Sequence, residues 1–114
     1  MSLVDEVKPV FEKIFSAAVE KAPEIKSWNK VYQFVVEGVG EFYVEISNGE
    51  LKVVEGKHPN PIATLSADKE TLDKILSGEL DAMKAFMLRK IKITGNVLDT
   101  MNLKKLIDLG VGKA

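Results

Sequence analysis

The side chains best suited to chemistry in this chain are apolar and cationic, not nucleophilic or metal-binding. Met83, Met87 and Met101, with Phe86 between the first two, bring three thioether chains and an aromatic ring into the C-terminal half. Thioether chains adapt to irregular apolar volumes, so such a cluster suits a loosely shaped apolar ligand as well as ordinary core filling. Lys84, Arg89, Lys90, Lys92, Lys104 and Lys105 stand against a single acid, Asp99, which makes residues 84–105 locally +5. The whole-chain balance hides this, because sixteen basic and seventeen acidic groups over 114 residues give net −1. Residues 1–62 carry −3 and residues 63–114 carry +2. A cationic rim beside an apolar cluster suits an amphiphile with an anionic head or an anionic membrane surface. A solvated lysine-rich face has the same composition.

Other chemistry is excluded by what is missing. No cysteine occurs, so disulfides, thiol catalysis, zinc–thiolate sites and iron–sulfur clusters are ruled out. The only histidine, His58, cannot form a two-histidine metal site, and between Lys57 and Pro59 it reads as an exposed loop residue. No nucleophile elbow, phosphate loop, dinucleotide fingerprint or paired zinc histidines occur. Glu37-Gly38-Val39-Gly40 contains Gly-x-Gly but joins two strands, so it is a turn. The expectation is a non-enzyme without metal or cofactor. Arg89 is the only arginine and the net charge is near zero, which argues against nucleic acid as a partner. No basic leader precedes an apolar stretch and no apolar run approaches about 18 residues, so a soluble cytoplasmic protein is expected.

These groups must be positioned by a single domain, residues 1–114, long enough for one hydrophobic core. Residues 2–21 place Leu3, Val4, Val7, Val10, Phe11, Ile14, Phe15, Ala17 and Ala18 on one helical face. Ser2 and Asp5 form a capping box, while Pro9 implies either a kink or a start nearer Asp5. Pro23–Ser27 reads as a short helical turn. Period-two alternation follows, with Tyr32, Phe34 and Val36 and then Phe42, Val44 and Ile46 on one face. Asn48-Gly49 is a hairpin signal leading into Leu51–Glu55, so residues 30–55 form a three-stranded meander. Gly56–Pro61 is a surface loop and Ile62–Ser66 a fourth strand. Asp68 caps a helix carrying Leu72, Ile75 and Leu76, which Gly78 stops. Asp81–Leu88 is a helical run apolar nearly all round, Lys90–Thr94 a fifth strand, and Asn96 caps a last helix toward Gly110. Helix, strands, helices, strand and helix in that order imply an α+β domain.

The last helix has no clean stripe: Val97, Leu98, Met101, Leu103, Leu106, Ile107 and Leu109 scatter around it. Either Asn102 divides it into two segments, or a dimer covers the excess, or a ligand does.

Three spaced blocks, Phe42-Tyr-Val-Glu-Ile-Ser-Asn-Gly49, Ala63-Thr-Leu-Ser-Ala-Asp68, and Leu80-Asp-Ala-Met-Lys-Ala-Phe-Met87 running on to Lys90-Ile-Lys-Ile-Thr-Gly-Asn96, resemble the sterol carrier protein type 2 family over nearly the whole chain. The resemblance implies a five-stranded, mainly antiparallel sheet covered on one side by about five helices, with an apolar tunnel between the layers. It implies non-catalytic binding and transfer of a fatty acid, fatty acyl-CoA, sterol or isoprenoid-like lipid. On that reading the lipid lies between Phe34, Phe42, Val44 and Ile93 of the sheet and Phe11, Ile14, Phe15, Met83, Phe86, Met87, Met101 and Leu106 of the helices. Lys84 and Arg89 are the candidates for holding an anionic head group, and transient contact with an anionic membrane surface follows. Arg89 departs from the family pattern, which has glycine there, so a differently shaped junction is expected. The ending Val-Gly-Lys-Ala114 is not a peroxisomal signal. The family's domain also serves in dimerisation and inside larger enzymes. A homodimerisation or partner-interaction module without ligand is therefore the alternative, and the protein is expected to be a monomer or a homodimer.

Overall fold

The computed structural model describes residues 2–113. Helix α1 runs from Leu3 to Lys21. The Asp5 amide donates to Ser2 Oγ at 3.2 Å and the Ser2 amide donates to Asp5 Oδ2 at 3.3 Å, closing the expected capping box. Pro9 lies inside this helix on its exposed side, so the later start is not taken. The inward face buries Val7, Phe11, Ile14 and Ala18. Pro23–Ser27 is a 3₁₀ turn, and Lys30 lies over the ring of the following Trp28.

Strands β1 (Lys30–Val36), β2 (Gly40–Ser47) and β3 (Glu50–Glu55) form the meander. Pairing Phe34 with Phe42 and Val44 with Val53 puts every expected inward residue on one face. β4 (Ala63–Ala67) then joins the other side of β1 in parallel, and β5 (Lys92–Gly95) closes the sheet antiparallel to β4. The five-stranded order is β3-β2-β1-β4-β5, a mixed sheet with one parallel pair.

The chain reaches β4 through the loop at residues 56–61, which crosses the outer face. There the Gln33 amide donates to the Phe42 and Gly56 carbonyls at 3.1 and 2.9 Å, and its Oε1 accepts from the His58 amide at 2.9 Å. Gln33 is thereby buried with both ends of its amide satisfied. His58 is half-buried with its ring edge-on to Tyr43 at 5.0 Å, so it is not the exposed bystander expected from its neighbours.

Four α-helices and the 3₁₀ turn supply the helical layer. α2 (Lys69–Leu76) and α3 (Ala82–Met87) are each capped by an aspartate, Asp68 accepting from the Thr71 amide and Asp81 from the Lys84 amide. α3 ends in a Schellman motif, with the Arg89 amide donating to the Phe86 carbonyl and the Lys90 amide to the Ala85 carbonyl. That motif needs a left-handed residue, and Arg89 occupies it at φ 60°. The junction therefore keeps the backbone shape that glycine would give, contrary to expectation. It also delays β5 to Lys92.

α4 spans Thr100–Gly110 as one helix that Asn102 does not divide. It starts later than expected because Asn96 caps a separate turn, its Oδ1 accepting from the Asp99 amide at 2.9 Å. Val97 and Leu98 belong to this turn and not to the helix, which removes part of the apolar scatter. α4 packs closely on α1 at Gly110, where a Cβ would lie 2.5 Å from the Ile14 carbonyl oxygen.

Candidate functional site

The inward faces of the sheet and helices enclose two different kinds of space. Toward β2 and β3, Phe34 and Phe42 stack with ring centroids 5.0 Å apart, and Phe11 from α1 meets both rings at 5.5 and 6.0 Å. Phe11, Phe42, Val44, Ile14 and Leu106 are all buried in the continuous core. Toward β4 and β5 the layers stay apart. A cavity of about 210 Å³ lies between Phe34, Val36, Leu65, Ala67 and Ile93 of the sheet and the helical layer. That is more than ten times the room a single water needs. Its walls come from Leu72, Ile75 and Leu76 of α2, Ala82, Met83 and Phe86 of α3, and Val97, Leu98, Thr100, Met101, Leu103, Lys104 and Ile107 near or on α4.

Of the twelve apolar positions expected to hold a ligand, Phe34, Met83, Phe86, Ile93 and Met101 line this cavity together. Phe11, Ile14, Phe42, Val44 and Leu106 lie in the packed half, and Phe15 rests partly buried against it. Met87 points to solvent at 72% exposure. Lys84, on α3, and Arg89, just past its end, are exposed and do not line the cavity. The α2 stripe carries in sequence only the signal of an ordinary amphipathic helix, and nothing sets Leu65 or Ala67 apart from neighbouring strand residues. Lys104 was read only as part of the charged stretch.

Thr100 and Lys104 bring the only hydroxyl and charge into the lining, and both are engaged. Thr100 Oγ1 donates to the Val97 carbonyl at 2.5 Å. Lys104 Nζ bridges Asp108 at 2.5 Å and the α3 cap Asp81 at 3.3 Å. The Asp108 bond outweighs desolvation and, helped by Asp81, raises the Lys104 pKa. Lys104 thus ties α3 to α4 across one wall and offers little free charge to a ligand.

A second polar cluster fixes the turn at residues 96–99. Asp99 accepts from Lys30 Nζ at 2.5 Å, from the Tyr32 hydroxyl at 2.6 Å and from Asn102 at 3.3 Å. Burial opposes ionisation of Asp99, but hydrogen bonds from Lys30 and Tyr32 prevail and hold its carboxyl below the usual range. Burial first, and then Asp99, push the fully enclosed Tyr32 phenol upward. Val97 and Leu98 are therefore carried to the cavity by a turn pinned to β1. The exposed lining residues Phe86, Val97, Leu98 and Met101 mark where the cavity meets solvent.

The model of the SCP-2 sterol transfer family matches residues 11–108, from α1 into α4. This chain belongs to that family. The sterol carrier protein domain 2 of Helicoverpa armigera is similar, with 28% identity and a TM-score of 0.75 over 100% of this chain and 95% of the other. The palmitated SCP2L2 of Aedes aegypti shares the fold at 20% identity, with a TM-score of 0.68 over 94% and 95% of the two chains. Hydroxysteroid dehydrogenase-like protein 2 of Xenopus tropicalis is 30% identical over 105 residues, 89% of this chain. The chain spans only 24% of that relative's length, so the similarity concerns one part of it. No three histidine, cysteine or acidic side chains come together as a metal site among the described residues. No described helix is long and apolar enough to cross a membrane.

Proposed function

We propose that this protein is a non-catalytic lipid carrier that holds one fatty acid, acyl-CoA, sterol or isoprenoid-like chain in the cavity between β4–β5 and α2–α4. The observation that carries this is an apolar cavity, open to solvent at one side, whose two polar lining side chains are already taken up, Thr100 by the Val97 carbonyl and Lys104 by Asp81 and Asp108. Such a site rewards hydrocarbon and gives a reacting group nothing to work with. Each buried methylene contributes about 0.8 kcal/mol, so a sixteen-carbon tail offers roughly 12 kcal/mol before association costs. Family membership and the palmitated insect protein of the same fold support an acyl ligand. Phe34, Ile93, Met83, Phe86 and Met101 would contact the chain. An anionic head would stay at the opening near Lys84 and Arg89, because Lys104 is matched by two carboxylates.

Titration with a fluorescent fatty acid and native mass spectrometry of the purified protein test this. Saturable micromolar binding is expected, and Ile93→Phe, which fills the cavity from its floor, should weaken it at least tenfold while the protein stays folded. No bound lipid and no saturable binding would overturn the proposal. The alternative, a dimerisation or partner module without ligand, rests on the exposure of Leu98 at 82%. It requires a stable dimer that Leu98→Asp converts to folded monomer, with no lipid bound by either form. Leu106 is fully buried and cannot serve such an interface.

A further inference from the structure

We propose that the cavity is a length gauge: it takes about eight carbons of a chain, methyl end first, and Phe34 is the stop that sets this limit. The preferred cargo is then a medium-chain acyl group, not a sterol or a long-chain fatty acid. This narrows the ligand class of the carrier reading and rests on it. An apolar cavity of about 150 Å³ lined by leucine, isoleucine and phenylalanine holds one benzene ring. The cavity here is lined by the same residue types with two methionines added, and its volume of about 210 Å³ corresponds in proportion to about eight carbons. A sterol nucleus is about twice that size in one rigid block, and a palmitoyl chain would leave about half of its length outside. Methylenes left outside stay hydrated and add nothing to affinity.

The walls give no length elsewhere. Toward β2 the cavity ends at Phe34, whose ring stacks on Phe42 at 5.0 Å with an interplanar angle of 6° and is backed by Phe11 at 5.5 Å. A longer chain passes only by pushing a ring out of that cluster, and a close-packed interior resists even small changes of volume. Between α3 and α4 the wall is tied by Lys104 to Asp81 and Asp108. The remaining side is the cavity rim at Phe86, Val97, Leu98 and Met101, all of them exposed. A carboxylate drawn inside would go unpaired, because the one cation of the lining is already matched. The head therefore stays at the rim and the methyl end meets Phe34.

Displacement of a fluorescent fatty acid from the full chain by hexanoate, octanoate, decanoate, dodecanoate and palmitate, each below its micelle concentration, tests the proposal. Affinity should rise about fourfold per added methylene up to octanoate, and by less than about twofold in all from decanoate to palmitate. Cholesterol should compete at least tenfold more weakly than octanoate. Two variants should move the break in opposite directions. Phe34→Ala removes the stop, and its affinity should keep rising to dodecanoate. Ala67→Leu fills part of the floor beside Val36 and should bring the break down to hexanoate. Should Phe34→Ala fail to fold, Ala67→Leu decides alone, since it opens no hole in the core. A steady gain through palmitate, cholesterol competing as well as octanoate, or a break that neither folded variant moves would overturn the length limit and leave the carrier standing. No saturable binding at any chain length would overturn both.

Discussion

The two halves of the interlayer space are built from the same residue classes and end in opposite states. Beneath β1–β3, one nineteen-residue helix lies along the sheet and three phenylalanine rings close the gap. Beneath β4–β5, α2 and α3 are only eight and six residues long, and α4 packs against α1. Helices this short cover little of the sheet, and their aliphatic side chains line a void instead of filling it. The void forfeits dispersion contacts, and polar struts at its edge hold it in shape. Lys104 joins α3 to α4, and Asp99 joins the turn before α4 to β1. Phe34 belongs to both halves, packing on the aromatic cluster and facing the cavity.

Paired truncations break this contrast most directly. Phe11→Ala should cost about 3–5 kcal/mol of stability in denaturant unfolding, as for a buried phenylalanine in a packed core. Met83→Ala, on the cavity wall, should cost about 1 kcal/mol or less and change fatty-acid binding instead. Similar losses at the two sites would mean the halves are equally packed.

The strut at Asp99 comes next. Its folded carboxyl titrates below the ordinary aspartate value of about 3.9, so its contribution is complete above that pH and is lost as pH falls through the folded value. Asp99→Asn should cost about 2 kcal/mol at neutral pH, the scale of hydrogen bonds to a charged group. Its stability should also fall less steeply than the parent's below about pH 4. Parallel acid limbs would show that the carboxylate does not hold the turn.

The smallest change has the opposite sign. Arg89→Gly relieves a left-handed residue at no loss of contact and should stabilise the protein by about 1 kcal/mol. A destabilised variant would mean that the arginine side chain contributes packing on the hollow side.

The packed half was far more legible than the hollow one. Alternation over residues 30–55 and the Asn48-Gly49 turn specified the meander and its inward face, and the Ser2 and Asp68 caps marked two helices. Alternation carries neither direction nor neighbour, so nothing in residues 62–66 announced a parallel partner in β1. Asn96 and Asp99 are both residues that cap helices, and only the folded turn shows which precedes α4. Inward phenylalanine and methionine look alike whether the opposite wall is near or distant. Sequence alone therefore groups Phe11, Phe42 and Met83 together, though the fold parts them.

The parallel pairing of β1 with β4 also bears on the order in which the chain folds. The meander needs only short hairpin closures, whereas β4 must return to β1 across an intervening strand pair and a loop, and β5 must then find β4. Closing longer loops delays contact formation, and a short, largely exposed edge strand such as β5 is among the first elements to open. Amide exchange is accordingly expected to be fastest in the four residues of β5 and slowest in β1, with both flanks of β5 running into the cavity rim. Slower exchange in β5 than in β1 would contradict this. An opening that begins at β5 would admit a ligand while the aromatic half stays folded.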